Sequence, residues 1–537
     1  LLSGVRLPQP VHGVEALAIA IASAAVYGPP TAAAVAFTTA AINFGIAAAV
    51  SVGLSYAQQA LARTQTDRAG TSLGDNPAGV NSPEARGNVK QATPPQRVIF
   101  GETRVGGAIS VYEVDAPYLY IQQLLAALPI SEFVTCYVGE QVLTLSDAVP
   151  GSTLTPLAVS GIAPFHTRLS LALQAGELDQ GRNPLIVSDF SSYGTRFLTP
   201  GVPNAMYKCH YGSNYDQFVE LWGNVQIPNF QWVVRGVPLP DPRNPRHILD
   251  FDPRDPEELY AAIASWDYSN TAALAQAFWT LMPFGLGAGP SRIRWDEVAE
   301  AATFDEEIVG LKVGDDGVQR FQKRHTIDGV ASLHEKPNVV MEAMLTANRG
   351  FIAQRAGQVS IVSSQPRDPV LTITDAMLIG GFEFRNNKPK KDLVNIGRCR
   401  FVAPDREHQD AEGPVYRDAA AVAADGEEFD QSVRMPFTST HQRAQRLLKG
   451  FVEEARLGKM LSCRCDMRAY GLREGDIVRR FSETGRYSQQ NGLYSVEEWQ
   501  LAEDRTSVSF NFAEYDPALA RNWIPETNEQ PFELEAA

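Results

Sequence analysis

Two acidic clusters, a few thiols and a scatter of imidazoles are the residues whose types could do chemistry at short spacing. The clusters are Asp255-Pro256-Glu257-Glu258 and Asp305-Glu306-Glu307. Paired carboxylates hydrolyse a glycosidic bond when one sits in an apolar pocket and keeps its proton. Acidic groups at helix starts instead complement the helix dipole, and solvated helix ends are the expectation for both clusters. The cysteines are Cys136, Cys209, Cys399, Cys463 and Cys465, with no C-x-x-C pair among them. Cys463-Arg464-Cys465 places both thiols on one face of a strand. Reduced or buried thiols are expected, as in a protein made in a reducing cytoplasm. Cys209-His210 would need a second pair to hold a metal, and no spacing supplies one. The histidines, His12, His166, His210, His247, His325, His334, His408 and His441, are dispersed. Phosphate loops, dinucleotide glycine fingerprints, H-E-x-x-H and G-x-S-x-G are missing from the sequence. Gly475-Asp476-Ile477-Val478 reads as a tight turn entering a strand. The expectation is therefore no catalytic residue, no cofactor, no metal and no enzyme activity.

The elements that would position any site begin with the bulk numbers. The chain has 537 residues, a formal net charge of -15, 44% hydrophobic and 20% charged residues. That composition is that of a folded protein, and the length suggests about three to five domains. The acidic balance argues against a general nucleic-acid-binding surface. It is compatible with a channel through which DNA slides without sticking. The chain starts at Leu1; the expectation is either a missing leading segment or a non-standard start codon translated literally.

One run contrasts with the rest. Residues 16–62 carry no Asp, Glu, Lys, Arg or His. Such a run needs lipid, a partner or a closed lumen. Pro29-Pro30 divides it, because proline ends a helix and restricts the residue before it. The first arm, Val14 to Gly28, is short for a bilayer span. The second, Thr31 to Ala62, is long enough but rich in weakly apolar Ala. Four readings stay open: a signal peptide, a permanent membrane hairpin, a helical hairpin buried against identical copies, and a sheltered hairpin later delivered to a membrane. Ala33, Ala34, Ala41, Gly45, Ala48 and Gly53 allow close helix approach in the last three.

From Arg63 to Pro95 the text turns Gly-, Asn-, Ser- and Pro-rich, which predicts an extended connector. Strand patterns follow at Arg97 to Glu102, Arg104 to Tyr112 and Tyr118 to Leu125. Phe133 to Val138 and Gln141 to Leu145 read as a hairpin with a two-residue turn. Leu171 to Ala175, Asn204 to Leu221 and Gln231 to Leu239 add strands, with Trp232 in the core. Helices are predicted over Thr271 to Leu281, with Ser269 and Asn270 as candidate caps, and over Trp295 to Glu307. Val318 to Ile327 is a predicted strand. A helix over Val339 to Asn348, ended by Gly350, precedes a hairpin of Gly350 to Gln354 with Gln358 to Val362. Asp392 to Val402 alternates as a strand. Thr438 to Leu457 is an amphipathic helix with Ala444, Leu447, Leu448 and Phe451 on its apolar face. Short strands follow at Met460 to Met467, Asp476 to Val478, Gly492 to Val496 and Val508 to Phe512.

The order of these segments resembles the central tail hub, or tail-tip attachment protein, of long non-contractile-tailed bacteriophages, and the related hub of gene transfer agents. The resemblance runs from about Pro94 to Pro517. It begins at Pro95-Gln96-Arg97-Val98-Ile99-Phe100-Gly101-Glu102-Thr103-Arg104-Val105-Gly106-Gly107. It continues through Trp232-Val233-Val234-Arg235-Gly236 and Asn270-Thr271-Ala272, and through Phe284-Gly285-Leu286-Gly287, where the family writes Tyr in place of Phe284. It is stronger over Pro337 to Val362, Asp392-Leu393-Val394-Asn395, Asp425-Gly426-Glu427-Glu428, Pro436 to Leu457, Gly475 to Val478, Gly492 to Glu497 and Glu514-Tyr515-Asp516-Pro517.

The resemblance implies an α+β, mainly β, multi-domain hub with β-barrel-like domains and small α/β inserts, to which the uncharged run adds an N-terminal hydrophobic helical hairpin. Expected divisions are 1–62 (hairpin), 63–95 (linker), 96–200 (first β hub domain), 201–330 (second hub domain with helical insert), 331–435 (α/β hub domain) and 436–537 (helix plus β-barrel-like domain). It further implies a homotrimer at the virion tail tip, made in the bacterial host cytoplasm. Distal tail proteins, the tail tube, the tape measure protein and tail fibres or receptor-binding proteins are the implied partners. Residues 14–62 are the implied point of any host-membrane contact, and DNA passes through without specific binding. The implied work is closing the tube, host attachment and gating of DNA ejection. A tail-tip cell-wall hydrolase and a membrane-anchored envelope protein are the alternatives.

Overall fold

The computed structural model describes residues 96–143, 157–158, 168–210 and 229–532, excepting 116, 140, 188, 191–192, 194–197, 315, 356, 407 and 504. The hairpin expected over 1–62 and the linker over 63–95 lie outside the described residues.

The first β region is built from ten strands. They are β1 (Arg97–Phe100), β2 (Glu102–Val105), β3 (Ala108–Asp115), β4 (Tyr118–Leu124), β5 (Glu132–Val138), β6 (Gln141–Leu143), β7 (Leu157–Ala158), β8 (Leu169–Gln174), β9 (Asn204–His210) and β10 (Phe230–Arg235). One sheet runs β2-β10-β5-β6 and a second runs β3-β4-β9-β8-β7. They share a core that includes Ile121, Leu171, Tyr207, Phe230 and Trp232. Trp232 is fully buried, as its strand pattern predicts. Its indole N–H still needs an acceptor. It donates to Tyr207 Oη at 2.7 Å, Tyr207 donates to Gln123 Oε1 at 2.6 Å, and Gln123 Nε2 donates to the Phe230 carbonyl at 2.9 Å. This closed relay joins β10 to β9 and β4 across the two sheets, where satisfied buried polar groups help fix one packing arrangement.

The middle of the chain is helical. Helix α1 (Pro256–Ser265) starts at Asp255, whose carboxylate accepts the Glu257 N–H at 2.9 Å. Helix α2 (Ala272–Leu281) is buried at every position, so it reads apolar on all sides, as a core helix must. It meets α3 (Trp295–Asp305) and α4 (Pro337–Leu345) in one core with Phe100, Phe278, Trp279 and Phe437. Hairpin β11–β12 (Ile308–Gly310, Phe321–Lys323) follows α3, and β13 (Gly329–Ser332) pairs antiparallel with β1. The long strand expected over Val318 to Ile327 is therefore cut short. Its later donors go to separate segments: Arg324 N–H to Glu307 O, His325 N–H to Asp305 O and Ile327 N–H to Asn270 O. Gly101, at φ +60°, sits where a Cβ would meet Ile327 O at 2.1 Å.

The C-terminal half contains hairpin β14–β15 (Phe351–Arg355, Gln358–Val362), as expected, and then two sheets. Strands β16 (Leu371–Ile373) and β17 (Leu378–Arg385) are followed by β18 (Ile396–Ala403), β19 (Gln409–Glu412), β20 (Tyr416–Arg417), α5 (Ala419–Asp425) and β21 (Asp430–Met435). Helix α6 (His441–Arg456) precedes β22 (Met460–Asp466), β23 (Ile477–Arg480), β24 (Gly492–Leu501) and β25 (Ser507–Glu514). The six-stranded sheet is ordered β16-β23-β24-β25-β22-β17 and curls around Leu461, Tyr494, Val496 and Phe512. The smaller sheet centres on β18, and α6 lays Ala444, Leu447 and Leu448 on it. The mainly β character with helical inserts agrees with the expected class.

Candidate functional site: assembly edges and a buried charged junction

The acidic clusters resolve into structural roles. Asp255 caps α1, as expected for a helix start. The second cluster corrects the expectation of a solvated helix end, because Asp305, the last residue of α3, is wholly buried. Its carboxylate accepts the Ala273 N–H in the first turn of α2 at 2.9 Å, the Ser363 hydroxyl at 2.5 Å and Asn348 Nδ2 at 3.4 Å. Burial outweighs these bonds and pushes its pKa up to about 7. Glu306 takes Arg243 at 2.8 Å and Lys323 at 3.2 Å, while Glu307 takes Arg324 at 3.0 Å and also Arg521.

All five cysteines are buried thiols, and the Cys463 and Cys465 sulfurs lie 3.8 Å apart on one strand face. Among the described residues, no group of three or more His, Cys, Asp and Glu could hold a metal. His247 Nδ1 accepts the Asp241 N–H, so its Nε2–H faces Asp267 at 3.2 Å. Gly475 is at φ +79° and opens into β23, which fits the expected tight turn.

The sequence reading missed a carboxylate pair. Glu497 on β24 and Glu454 on α6 line a cavity of about 160 Å³ that also touches Arg349, Arg367, Lys388 and Lys459. Burial, and then the Glu454 charge, raise the Glu497 pKa to about 7. A raised carboxylate beside a second one is the pattern of a glycosidase acid. The volume decides against that reading, since pockets for organic ligands run to roughly 300–1,000 Å³. The cavity has room for water or a small ion, not for a sugar pair.

The surface offers a different kind of site. Among the described residues, the two largest sheets each end in an eight-residue edge strand, β3 in the five-stranded sheet and β17 in the six-stranded one. Each carries a register irregularity, at Ile109/Val111 and at Leu378/Phe382. Each exposes apolar residues: Tyr112 and Val114 on β3, and Ile379 on β17. Long edges with exposed apolar side chains are templates for pairing with another chain, and bulges limit uncontrolled pairing. A third patch lies on the β11–β12 ribbon. Gly310 pairs with Phe321, so Phe321 and Ile308 share one face. They are 64% and 66% exposed, and Val313 and Val318 on the connecting loop are exposed as well.

No protein-family model matches the chain, and no curated protein matches it in sequence. Among solved structures, a chain from the virion of a native gene transfer agent particle is similar over 90% of this chain and 96% of that one, at a TM-score of 0.54 and 14% identity. The chain thus has the fold of a protein found in a gene transfer agent virion. The 43 kDa tail protein of prophage MuSo2 from Shewanella oneidensis covers 79% of this chain and all of its own, at TM-score 0.25 and 8% identity. Prophage tail protein gp18 from Listeria monocytogenes EGD-e covers 78% of this chain and 88% of its own, at TM-score 0.24 and 8% identity. At those scores the two superpose too loosely to refine the fold. No described helix is long and apolar enough to cross a membrane.

Proposed function

We propose that the chain is a structural hub of a phage-type tail, closing the distal end of the tail tube as a homotrimer. The observation that carries this reading is the shared fold along nearly the whole chain with a gene transfer agent virion component. The edge strands β3 and β17 support it. Two β domains per chain, each with a long apolar-bearing edge, give three copies six comparable edges, the number needed to mate with a hexameric tube. Because β9 and β10 complete the sheets of β2–β8, and β16 and β17 pair into the sheet of β22–β25, the hub's modules in this proposal are the two-sheet β region, the helical middle and the two-sheet C-terminal half, in place of the expected divisions at 200/201 and 435/436. Distal tail proteins, the tape measure protein and fibres or receptor-binding proteins are its neighbours in the proposal.

In this account the hub acts by geometry and charge. The acidic chain, at net -15, repels DNA phosphates from the lumen wall. Receptor engagement opens the ring, and residues 14–62, sheltered until then, reach the host envelope. Localised reconstruction of particles carrying a tagged copy tests the reading. Threefold density for the tag at the tail tip supports it, and tagged density on the capsid or along the shaft sinks it. A liposome assay with a peptide of residues 14–62 tests delivery separately; a peptide that stays in the aqueous phase removes that step while leaving the hub intact.

A further inference from the structure

Helix α6 carries guanidinium groups on an inward face. Arg443, Arg446 and Gly450 are spaced i, i+3 and i+7, so they share one side of the helix. Arg443 is 4% exposed and Arg446 7% exposed. Gly450 leaves space that a third guanidinium takes: a Cβ there would stand 1.0 Å from Arg349 Nη1. Arg349 is itself in the left-handed region at φ +50°, a conformation that costs a non-glycine residue and persists when its surroundings impose it. Arg324 and His325 close the group. The charges of Arg446, Arg324, Arg349 and Arg443 all depress the His325 pKa, on top of its burial.

The compensation is incomplete. Arg324 has Glu307, and Arg446 donates to the Arg324 carbonyl. The Asp328 and Glu529 carboxylates act on Arg443 and Arg446 through charge alone. Asp328 is already occupied, accepting from the Glu102 N–H, Thr326 and Ser439. Glu529 accepts the Lys312 N–H. Six buried nitrogens in the group have no hydrogen-bond partner among the described residues: Nε of Arg349, Nε and Nη1 of Arg443, Nε and Nη1 of Arg446, and Nδ1 of His325. Buried polar groups are nearly always paired, and unpaired buried charge is strongly destabilising. So many donors of one sign in one place call for an acceptor with several oxygens.

The source of that acceptor is constrained by burial. A neighbouring protein's side chain does not reach groups this enclosed. The cavity of about 160 Å³ borders the cluster at Arg349 and at Ser364, whose hydroxyl lies 3.4 Å from His325 Nε2. One further unpaired buried donor, Arg367 Nε, belongs to a residue on the same wall, which Gln365 also lines. The carboxylates of the cavity are otherwise engaged: Glu514 with Lys459 and two backbone N–H groups, Asp516 with the Ala518 N–H, and Glu454 and Glu497 in the field of Lys388. We propose that Arg349 and Arg367, the guanidiniums that line the cavity, bind a small tetrahedral oxyanion of the phosphate or sulfate class there, beside the buried Arg443, Arg446 and His325. The anion adds negative charge next to the cluster and ties Arg349, packed on α6 at Gly450, to Arg367 in the loop after β15.

The test uses the full chain, exchanged into chloride buffer and titrated with inorganic phosphate or sulfate at constant ionic strength. A ligand bound by the native state alone raises the melting temperature with the logarithm of its concentration. The proposal expects that rise with phosphate and sulfate but not with chloride, and its loss in Arg367→Gln and Arg349→Gln. If those variants do not fold, Gln365→Glu takes their place. An internal carboxylate on the cavity wall should raise the melting temperature without phosphate and cancel the phosphate increment. Equal increments in wild type and Gln365→Glu, or equal responses to phosphate and chloride, overturn the proposal.

Discussion

The Asp305 carboxylate, at the end of α3, accepts the backbone N–H of Ala273 in the first turn of α2 at 2.9 Å. A helix usually finds its cap next door in sequence; α2 receives this one from another helix. Thr271 is the N-cap residue of α2 and makes no side-chain cap, while Ser269, a candidate cap, bonds Thr271 instead. The same carboxylate takes Ser363 and Asn348, and Asn348 pairs with Gln276 of α2 at 2.9 Å. One buried acid thus ties α2, α3, the residue following β15 and the turn after α4 together.

Removing that acid should be costly. Asp305→Ala loses a cap and leaves buried donors unpaired, together about 2–4 kcal/mol of unfolding free energy. Urea unfolding of the two proteins side by side measures it. A change within about 0.5 kcal/mol, the range of ordinary surface substitutions, would contradict the tie.

The pH dependence has a definite sign. The pKa values of Asp305 and Glu497 are raised in the folded protein to about 7. The folded state then binds more protons than the unfolded one between their ordinary carboxylate range and about pH 7. Their contribution is therefore full below that ordinary range and is lost as pH rises toward 7. Carboxylates held low by arginines, such as Asp241 and Glu307, act the other way: they lose their contribution as pH falls through their depressed values. The depressed imidazole of His325 acts in the opposite direction over the same range, so the reading is the difference between two profiles: across pH 4 to 8 the wild type should lose melting temperature relative to Glu497→Gln as pH rises. A Glu497→Gln profile parallel to wild type would refute the assignment for that residue.

The relay from Trp232 to Tyr207 separates packing from polarity. Trp232→Phe leaves most of the packing but strands the Tyr207 oxygen without its 2.7 Å donor, at about 1–3 kcal/mol. Trp232→Ala also opens a cavity and should cost about 3–5 kcal/mol. Calorimetry on both tells whether the indole N–H contributes at all: a Trp232→Phe protein as stable as wild type would say it does not.

Gly450 is a test of close approach. Alanine favours helix by about 1 kcal/mol over glycine, yet here its Cβ would meet Arg349. Gly450→Ala should be less favourable in the wild type, where the Arg349 guanidinium must shift, than in an Arg349→Ala background, a difference that a double-mutant cycle reads directly. Equal effects in both backgrounds would show that Arg349 does not occupy that face.

Much of this fold was legible where periodicity and burial agree. The amphipathic pattern of Ala444, Leu447, Leu448 and Phe451 located α6, and the all-apolar run of α2 located a core helix. Cys463 and Cys465 landed on one face because a strand alternates. Strand β17 was missed because Gly380 and Gly381 interrupt an exposed edge, leaving no alternation to read. The buried arginines of α6 were missed for another reason. Its partners come from far along the chain: Gln445 exchanges hydrogen bonds with Gln530, and Lys449 donates to the Asn522 carbonyl. That C-terminal crossing encloses residues whose types alone suggest solvent. The Glu454–Glu497 pair likewise forms only when α6 packs near β24, a contact that local spacing does not encode.

Substitutions on the exposed edges should separate assembly from folding. Val114→Lys and Phe321→Asp alter residues with 55% and 64% exposure, so monomer stability should stay within about 0.5 kcal/mol. Particle yield in a complementation assay should fall sharply. Normal yield with both variants would remove β3 and the β11–β12 ribbon from the proposed interfaces.

The hub assignment is tested most directly by native mass spectrometry of the purified full chain, alone and mixed with the tail-tube protein that the proposal places beside it. The account predicts a trimer of this chain that captures one hexameric ring of the tube protein. A chain that stays monomeric and captures no ring at concentrations where the tube protein assembles would contradict it.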